Sequence, residues 1–310
     1  MKKIKTFLIG FGKMGKGLGS KDKESHYGAL LSHKRKFNLL TVIDKKNERS
    51  LLTKLNNLKP NLVVISVSSK NHFKICEKLL KARFTPKIIF LEKPALQSKL
   101  ELKKILKLSR YKNTKIIVNQ SYRFNKNIEI LKNKLKILKL GKIKKISIRY
   151  TNGFKNNGIH LIDLVYFLFG SSISFKLIKC WKNYVTTGLS KNDNFDFYMM
   201  DKKKKIILEG LSFDKKIYEV FDIDLYFEKA KISIENYLRD FYIQRIVLDK
   251  FKNKELSQKK ILFKRIKNYS LISAYNEIYQ FCKVNKDISN YSLNNNKKTL
   301  NTIYEIEKYA

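Results

Sequence analysis

The run Gly10-Phe11-Gly12-Lys13-Met14-Gly15 follows directly on the short apolar, β-forming stretch Ile4 to Ile9. Glycines at the first, third and sixth positions of a strand-to-helix turn suit a diphosphate. Gly10 permits the tight turn, Gly12 lets the backbone approach the phosphates, and Gly15 lets the helix pack closely on the strand. Amides at a helix N-terminus then face the anion, so Phe11, Lys13 and Met14 belong to the same cradle. A second β-like run, Phe37 to Ile43, ends at Asp44, where a carboxylate can hold the hydroxyls of an adenosine ribose; the plainer alternative is that Asp44 caps a turn. The interval from Gly15 to Asp44 exceeds the roughly twenty residues usual for this fingerprint. The polar stretch Ser20 to Ser25, read as a loop or irregular helix extension, accommodates the excess. Asp44 favours NAD(H) over NADP(H), whereas Lys45 and Lys46 are cations suited to a 2′-phosphate.

These residues need a scaffold, and the chain supplies alternating strands and helices. Asn61 to Val67 is a nearly continuous apolar strand, followed by polar Ser68 to His72 and a helix to Lys81. Lys87 to Leu91 repeats the event and ends in Glu92-Lys93-Pro94, and after a helix over Gln97 to Tyr111 the strand Lys115 to Val118 leads to Asn119. Such alternation predicts a parallel sheet with both faces covered. Farther on, Lys126 to Leu140 reads as a helix and Lys144 to Tyr150 as a strand. Phe195 to Met200, Lys205 to Leu211, Tyr218 to Phe227 and Ala230 to Glu235 read as strands of an antiparallel sheet. Leu271 to Val284 and Thr299 to Tyr309 have the spacing of amphipathic helices. The expected fold class is α/β: an N-terminal Rossmann parallel sheet over residues 1–120, then a substrate-binding and oligomerisation domain over 121–310 with a mainly antiparallel open sheet.

The formal net charge is +41, from 67 basic and 26 acidic residues. Its distribution argues against nucleic acid as the main partner, since the lysines are spread over the whole chain and arginine, the preferred base-reading side chain, is scarce. The start of the chain imitates a secretory signal, but its apolar stretch is short and Lys13 stops it. Ile159 to Gly170 is too short to cross a bilayer. Cys76, Cys180 and Cys282 have no spacing that makes a metal knuckle or a disulfide framework. The expectation is a cytoplasmic protein with no membrane partner and no metal.

The sequence resembles the Gfo/Idh/MocA oxidoreductases, named for glucose-fructose oxidoreductase, inositol dehydrogenase and a rhizopine-catabolism protein. The marks are Gly10 to Gly15, Lys59 to Ile65, His72, Glu92-Lys93-Pro94, and Asn157-Gly158-Ile159-His160-Leu161-Ile162-Asp163. The resemblance implies hydride transfer between a nicotinamide cofactor and a sugar, nucleotide sugar or cyclic polyol, within a homodimer or homotetramer. It implies that Ser68, His72 and Glu92 lie on the cofactor side, that Lys93 reaches toward nicotinamide and substrate, and that His160 is the active-site histidine. Tyr122 and Arg123 fall in the passage where an aromatic and an arginine approach the substrate; for Arg123 a salt bridge on a helix surface is the alternative. The family often carries Asp four positions before the histidine, where this chain has Asn156.

Alcohol oxidation by a nicotinamide needs a hydride acceptor and, beside it, a group that takes the hydroxyl proton. Lys93 suits stabilisation of developing negative charge on oxygen, and His160 titrates nearest neutrality. Asp163, one helical turn on, can orient the histidine. Two other readings stand beside this one: a non-catalytic dinucleotide sensor, to which Asn156 points, and a basic structural protein associated with nucleic acid.

Overall fold

Runs such as Leu62–Ile65 and Ile88–Leu91 are apolar and buried at every position, the pattern of a strand covered on both faces. The computed structural model describes residues 3–19, 21–183 and 193–309. In it β1 (Ile4–Ile9), β2 (Phe37–Ile43), β3 (Leu62–Ile65), β4 (Ile88–Leu91) and β5 (Lys115–Val118) form one parallel sheet in the order β2-β1-β3-β4-β5. The helices α1 (His26–Ser32), α2 (Leu51–Leu58), α3 (His72–Lys81) and α4 (Lys99–Tyr111) connect successive strands. Ile9 pairs with both Ile43 and Ile65, Ile65 with Leu91, and Leu91 with Val118, so the five carboxyl ends lie level. The strand order reverses between β1 and β3, which puts the ligand-binding switch point of such sheets at this edge.

The helix expected to start within the glycine run does not do so. Residues 13–18 form turns, and α1 begins only at His26. An uninterrupted α-helix would bond the Met14 and Gly15 carbonyls to the amides of residues 18 and 19. Here the amides of His26 and Tyr27 take those places, both at 2.9 Å. The helix thus resumes after eight extra residues, which accounts for most of the lengthened interval to Asp44. Asp22 organises the insertion: its carboxylate accepts the amides of Leu18 and Glu24, each at 3.0 Å, and its carbonyl accepts the Ser25 hydroxyl. Ser25 in turn caps α1. Ser20, the first residue of the expected loop, lies outside the described residues.

The chain divides into two compact units, residues 1–126 with 268–300 and residues 127–267 with 301–310. The second contains most of α5 (Lys126–Ile137), then β6 (Ile143–Tyr150), α6 (Ile159–Phe169), β7 (Lys176–Asn183), β8 (Asn194–Asp201), β9 (Ile206–Ser212), β10 (Phe221–Phe227), β11 (Ala230–Glu235), β12 (Asp240–Leu248), β13 (Lys254–Leu256) and β14 (Lys260–Ile261). The sheet runs β13-β12-β11-β10-β6-β9-β8-β7, with β14 beside β12. Its described pairs are antiparallel except β6 with β9. This is the mainly antiparallel second sheet that the strand succession predicts. One face carries Ile146, Ile148, Ile223 and Leu225. The alternate positions carry Asp224, which Arg149, Lys231 and Ser233 surround at 2.8, 3.1 and 2.6 Å. The sequence reading missed β7 and β12 to β14. Both ends of the sheet lie in this set, and edge strands carry charge in place of a clean apolar alternation.

The division expected at residue 120 places everything after it in one domain. In the structure α7 (Ser270–Val284) packs within the first unit, laying Leu271, Ala274, Tyr275 and Ile278 against Leu8, Phe37, Val64 and Phe90. The last helix, α8 (Lys297–Glu307), contributes its part from Asn301 onward to the second unit, where Thr302 meets the Tyr166 hydroxyl at 2.8 Å.

Tyr150, at the end of β6, is fully buried. Its hydroxyl donates to the Phe195 carbonyl at 2.6 Å and accepts the Phe195 amide at 3.0 Å. Tyr150→Phe leaves both backbone groups without this partner and is expected to cost about 1–3 kcal/mol. Trp181 in β7 is the sole tryptophan, so urea unfolding followed by its fluorescence reads this sheet. An unchanged midpoint would show that the hydroxyl carries no net stability.

Candidate functional site

Because the five carboxyl ends are level, the segments that leave them are neighbours. Gly10 leaves β1 with φ +94°. Its amide donates to the Ile43 carbonyl at 2.7 Å, and its carbonyl accepts the Ser66 hydroxyl at 2.8 Å. A Cβ at Gly10 would stand 2.6 Å from the Ser66 backbone, and one at Gly15 would stand 2.2 Å from the Gly10 carbonyl oxygen. At Gly12 the situation is opposite: no described atom lies within 4 Å of where a Cβ would be. Gly10 and Gly15 therefore serve the protein's own turn, and Gly12 borders open space. Phe11 packs edge-to-face on Tyr27 at 5.4 Å, while Lys13 and Met14 are exposed.

Asp44 follows β2 beside this turn. Its Oδ1 accepts the Lys46 amide at 2.9 Å, and its own amide donates to Asn47 Oδ1 at 2.7 Å. Turn capping is thus real, and it occupies one carboxylate oxygen; among the described residues Oδ2 has no hydrogen-bond partner. Ser68 is exposed after β3. His72 is buried, with Nδ1 at 3.0 and 3.2 Å from the Pro94 and Ala95 carbonyls and Nε2 at 3.1 Å from the Val67 carbonyl. Burial pushes its pKa down despite these carbonyls. Its place is a clamp between the loop after β3 and the turn after β4, with both ring nitrogens facing backbone.

Glu92 ends β4 and is 5% exposed. Its Oε1 accepts from His26 Nε2 at 2.8 Å and from Asn119 Nδ2 at 2.6 Å, and its Oε2 accepts the Lys93 amide at 3.3 Å. Burial alone would raise the carboxyl pKa, but the hydrogen bond and electrostatic attraction of His26, then the hydrogen bond from Asn119 and the charge of Lys93, hold it below the ordinary value. His26 Nδ1 meets the Tyr275 hydroxyl at 2.9 Å, and both residues are fully buried. Burial keeps the Tyr275 hydroxyl protonated well beyond the usual tyrosine range. Lys93 is partly exposed by area yet crowded by protein; burial lowers its pKa and Glu92 opposes that shift.

The sequence reading missed His26, Asn119 and Tyr275. Their signal was weak: a histidine inside a polar stretch, an amide after a strand, and a tyrosine in a distant helix. Arg123, taken for a substrate contact or a surface ion pair, is 4% exposed and donates to the Asn290 carbonyl at 2.6 Å. Tyr122 adjoins it in the turn Ser121–Phe124.

In the second unit, Asn156 and Asn157 lie in the π-helical turn Phe154–Gly158 that leads into α6. Asn156 donates to the Asn152 carbonyl at 3.1 Å. His160 is half-buried in the first turn of α6, and Asp163 is 2% exposed one turn on. Gly158 sits against the rings of Phe154 and Tyr150, so packing accounts for it.

The carboxyl edge of the first unit matches what a dinucleotide requires at three points. Gly12 offers a cradle that a side chain would fill. Asp44 keeps an oxygen for a diol. Asn119 Oδ1 and both polar atoms of Gln120 are buried without a hydrogen-bond partner at the end of β5.

No protein-family profile and no curated protein matches the sequence. Solved structures do match in fold. The WlbA dehydrogenase from Bordetella pertussis, in complex with NADH and UDP-GlcNAcA, aligns with a TM-score of 0.75 at 14% identity, over 100% of this chain and 97% of that one. UDP-N-acetylglucosamine 3-dehydrogenase GnnA from Acidithiobacillus ferrooxidans gives 0.68 at 12%, over 100% and 98%. The transcriptional regulator Gal80p from Kluyveromyces lactis gives 0.75 at 13%, over 99% and 89%.

The depressed pKa of Glu92 has a sign for stability. An acid whose folded pKa lies below its unfolded value of 4.5 stabilises fully above that value and loses the contribution as pH falls through the folded pKa. Glu92→Gln should therefore be less stable than wild type near neutrality, by about 1–3 kcal/mol. The gap should narrow as pH drops below 4.5. Chemical denaturation at a series of pH values measures it, and a gap independent of pH would show that Glu92 is not ionised in the fold.

Proposed function

We propose that the chain is an NAD(P)-dependent oxidoreductase of the Gfo/Idh/MocA type, acting on a polyhydroxylated small molecule such as a sugar, nucleotide sugar or cyclic polyol. The observation that carries the reading is the carboxyl edge of the parallel sheet. There an open glycine cradle, a carboxylate with one uncommitted oxygen and the Glu92-Lys93 pair leave the level carboxyl ends of β1, β2 and β4. When bound, the nicotinamide supplies the hydride chemistry. The chain's own residues do the rest. Backbone at Gly12 admits the diphosphate, and Asp44 Oδ2 takes the ribose hydroxyls, which favours NAD(H). Lys45 and Lys46 leave measurable affinity for NADP(H). Lys93, its ammonium destabilised by burial, donates to the substrate oxygen or exchanges a proton with it, and His160 is the second acid-base group. Of the matched structures, one is a dehydrogenase in complex with NADH and UDP-GlcNAcA and another a UDP-N-acetylglucosamine 3-dehydrogenase, which supports a nucleotide sugar as substrate; a place in surface polysaccharide synthesis is part of the same proposal. Pairing of the second-unit sheets into a homodimer or homotetramer belongs to the same reading.

A second reading has its own support. The transcriptional regulator Gal80p shares the fold, so the fold alone serves regulation as well as catalysis. With Asn156 where an acid often stands, a dinucleotide-binding sensor accounts for the same cradle.

Thermal scans with NADH, NADPH and nonspecific RNA separate these readings, since a ligand of the folded state raises apparent stability. Either dinucleotide should stabilise the chain, with NADH the stronger. Gly12→Val should abolish that effect while leaving the stability of the free protein within about 0.5 kcal/mol, because the added side chain enters open space. Asp44→Ala should erase the preference for NADH. Stabilisation by RNA alone would reject the oxidoreductase reading.

With a substrate found by a sugar and nucleotide-sugar screen, Lys93→Ala and His160→Ala should each bind cofactor and lose roughly 10²-fold or more in turnover. Near-wild-type turnover in both variants, with chemistry limiting, would remove these residues from catalysis. Cofactor binding without turnover on any member of the panel favours the sensor.

A further inference from the structure

Within the first unit, three elements far apart in sequence meet at one carboxylate. Tyr275 of α7 reaches His26 of α1, 249 residues away, at 2.9 Å, and His26 reaches Glu92 at the end of β4 at 2.8 Å. With the phenolic proton directed at Nδ1, the imidazole keeps its own proton on Nε2, facing Glu92. Every polar atom of that chain then has a partner. Glu92 accepts two further N–H groups, from Asn119 and from the backbone of Lys93. Core packing alone does not call for this arrangement, since Phe90 and Tyr275 already meet the His26 ring and each other edge-to-face, with Phe37 behind Tyr275.

We infer that His26 and Tyr275 are positioning residues: through the hydrogen-bond chain Tyr275–His26–Glu92 they hold a carboxylate ionised beside Lys93 and so set the charge of the Lys93 side chain. The use made of that charge rests on the oxidoreductase reading; the hydrogen-bond chain does not. The titratable groups facing Glu92 are His26 from α1, Tyr275 from α7, His72 from α3 and Lys93 next to it. Burial works against the ammonium of Lys93, and Glu92 is the charge that opposes it. Loss of the His26 donor makes the Glu92 carboxylate harder to keep ionised. Lys93 then loses its counter-charge, and more of it is neutral amine near neutral pH. In the intact chain the relay would keep Lys93 a proton donor, with its amine form reached only when needed.

The test needs neither substrate nor cofactor. Trace acetic anhydride modifies neutral amines, and peptide mass spectrometry reads the rate at Lys93 across pH from about 6 to 11, with Lys115 at the amino end of β5 as internal reference. In the full-length protein His26→Leu should raise Lys93 reactivity at neutral pH several-fold. Tyr275→Phe, which removes one hydroxyl from an otherwise unchanged ring, should raise it less. His26→Gln, which keeps an N–H for Glu92, should restore most of the wild-type profile. If His26→Leu does not fold, His26→Ala takes its place with the same expected outcome, and Tyr275→Phe decides the part assigned to Tyr275.

A residue that only packs would lower the unfolding midpoint and leave the Lys93 profile relative to Lys115 unmoved. That result for folded Tyr275→Phe overturns the part assigned to Tyr275, and the same result for folded His26→Leu overturns the relay. Failure of the wild type to bind either dinucleotide would overturn the oxidoreductase reading and leave the Lys93 result as it stands.

Discussion

A carboxylate buried at the end of a central strand is expensive, and its cost is met only by well-placed donors. Glu92 is such a group. Its strand lies between β3 and β5, and the side chain is buried, so protein groups supply most of its donors. The donors come from α1, from the residue after β5 and from the next backbone amide. Each ties down a segment that leaves the carboxyl edge, so the electrostatic requirement of one side chain also fixes the loops that make the site.

Two oddities of the chain's path follow from this requirement. His26 must stand at the start of α1 facing the sheet, although eight residues interrupt the helix that begins at the glycine turn. Asp22 and Ser25 fold the insertion back so that the amides of His26 and Tyr27 resume the ladder at Met14 and Gly15. Tyr275 must return from beyond the second unit. α7 accordingly buries an i, i+3, i+4, i+7 face on the first sheet, with the tyrosine at its centre. The late helix is thus as much a part of the first unit as any strand, and its hydroxyl completes the polar chain that starts at Glu92.

The sheet itself was legible in the sequence because buried parallel strands write themselves as unbroken apolar runs. Phe37–Ile43 was read to the residue, and the strands before Ser66 and Glu92 to within a residue or two. The glycine turn and the turn capped by Asp44 were legible for the same local reason: backbone freedom and turn chemistry act over a few residues. The late start of α1 was not, since turns over 13–18 and helix share the same amides. Nor was the His26–Glu92–Tyr275 chain, which joins positions 66 and 249 residues apart and carries no local pattern. For Arg123 the alternative of a surface ion pair gives way to burial, because the loop at Asn290, far away in sequence, covers it.

Residue 156 shows why a departure from a familiar pattern need not be a loss. Its amide donates to the Asn152 carbonyl across the π-helical turn, and Asn152 itself has φ +65°. A carboxylate at 156 has no proton to give, so an oxygen would face an oxygen at about that distance and the turn would open or the side chain would swing away. That turn sets where α6 begins, and His160 lies in its first helical turn. The asparagine therefore serves the backbone that presents the histidine. An acid and an amide at this position differ first in this: only the amide carries the donor that holds the turn leading into α6. On the oxidoreductase reading proposed above, the amide at 156 leaves acid-base work to Lys93 and His160, and the carboxylate held at Glu92 then bears on the first of these.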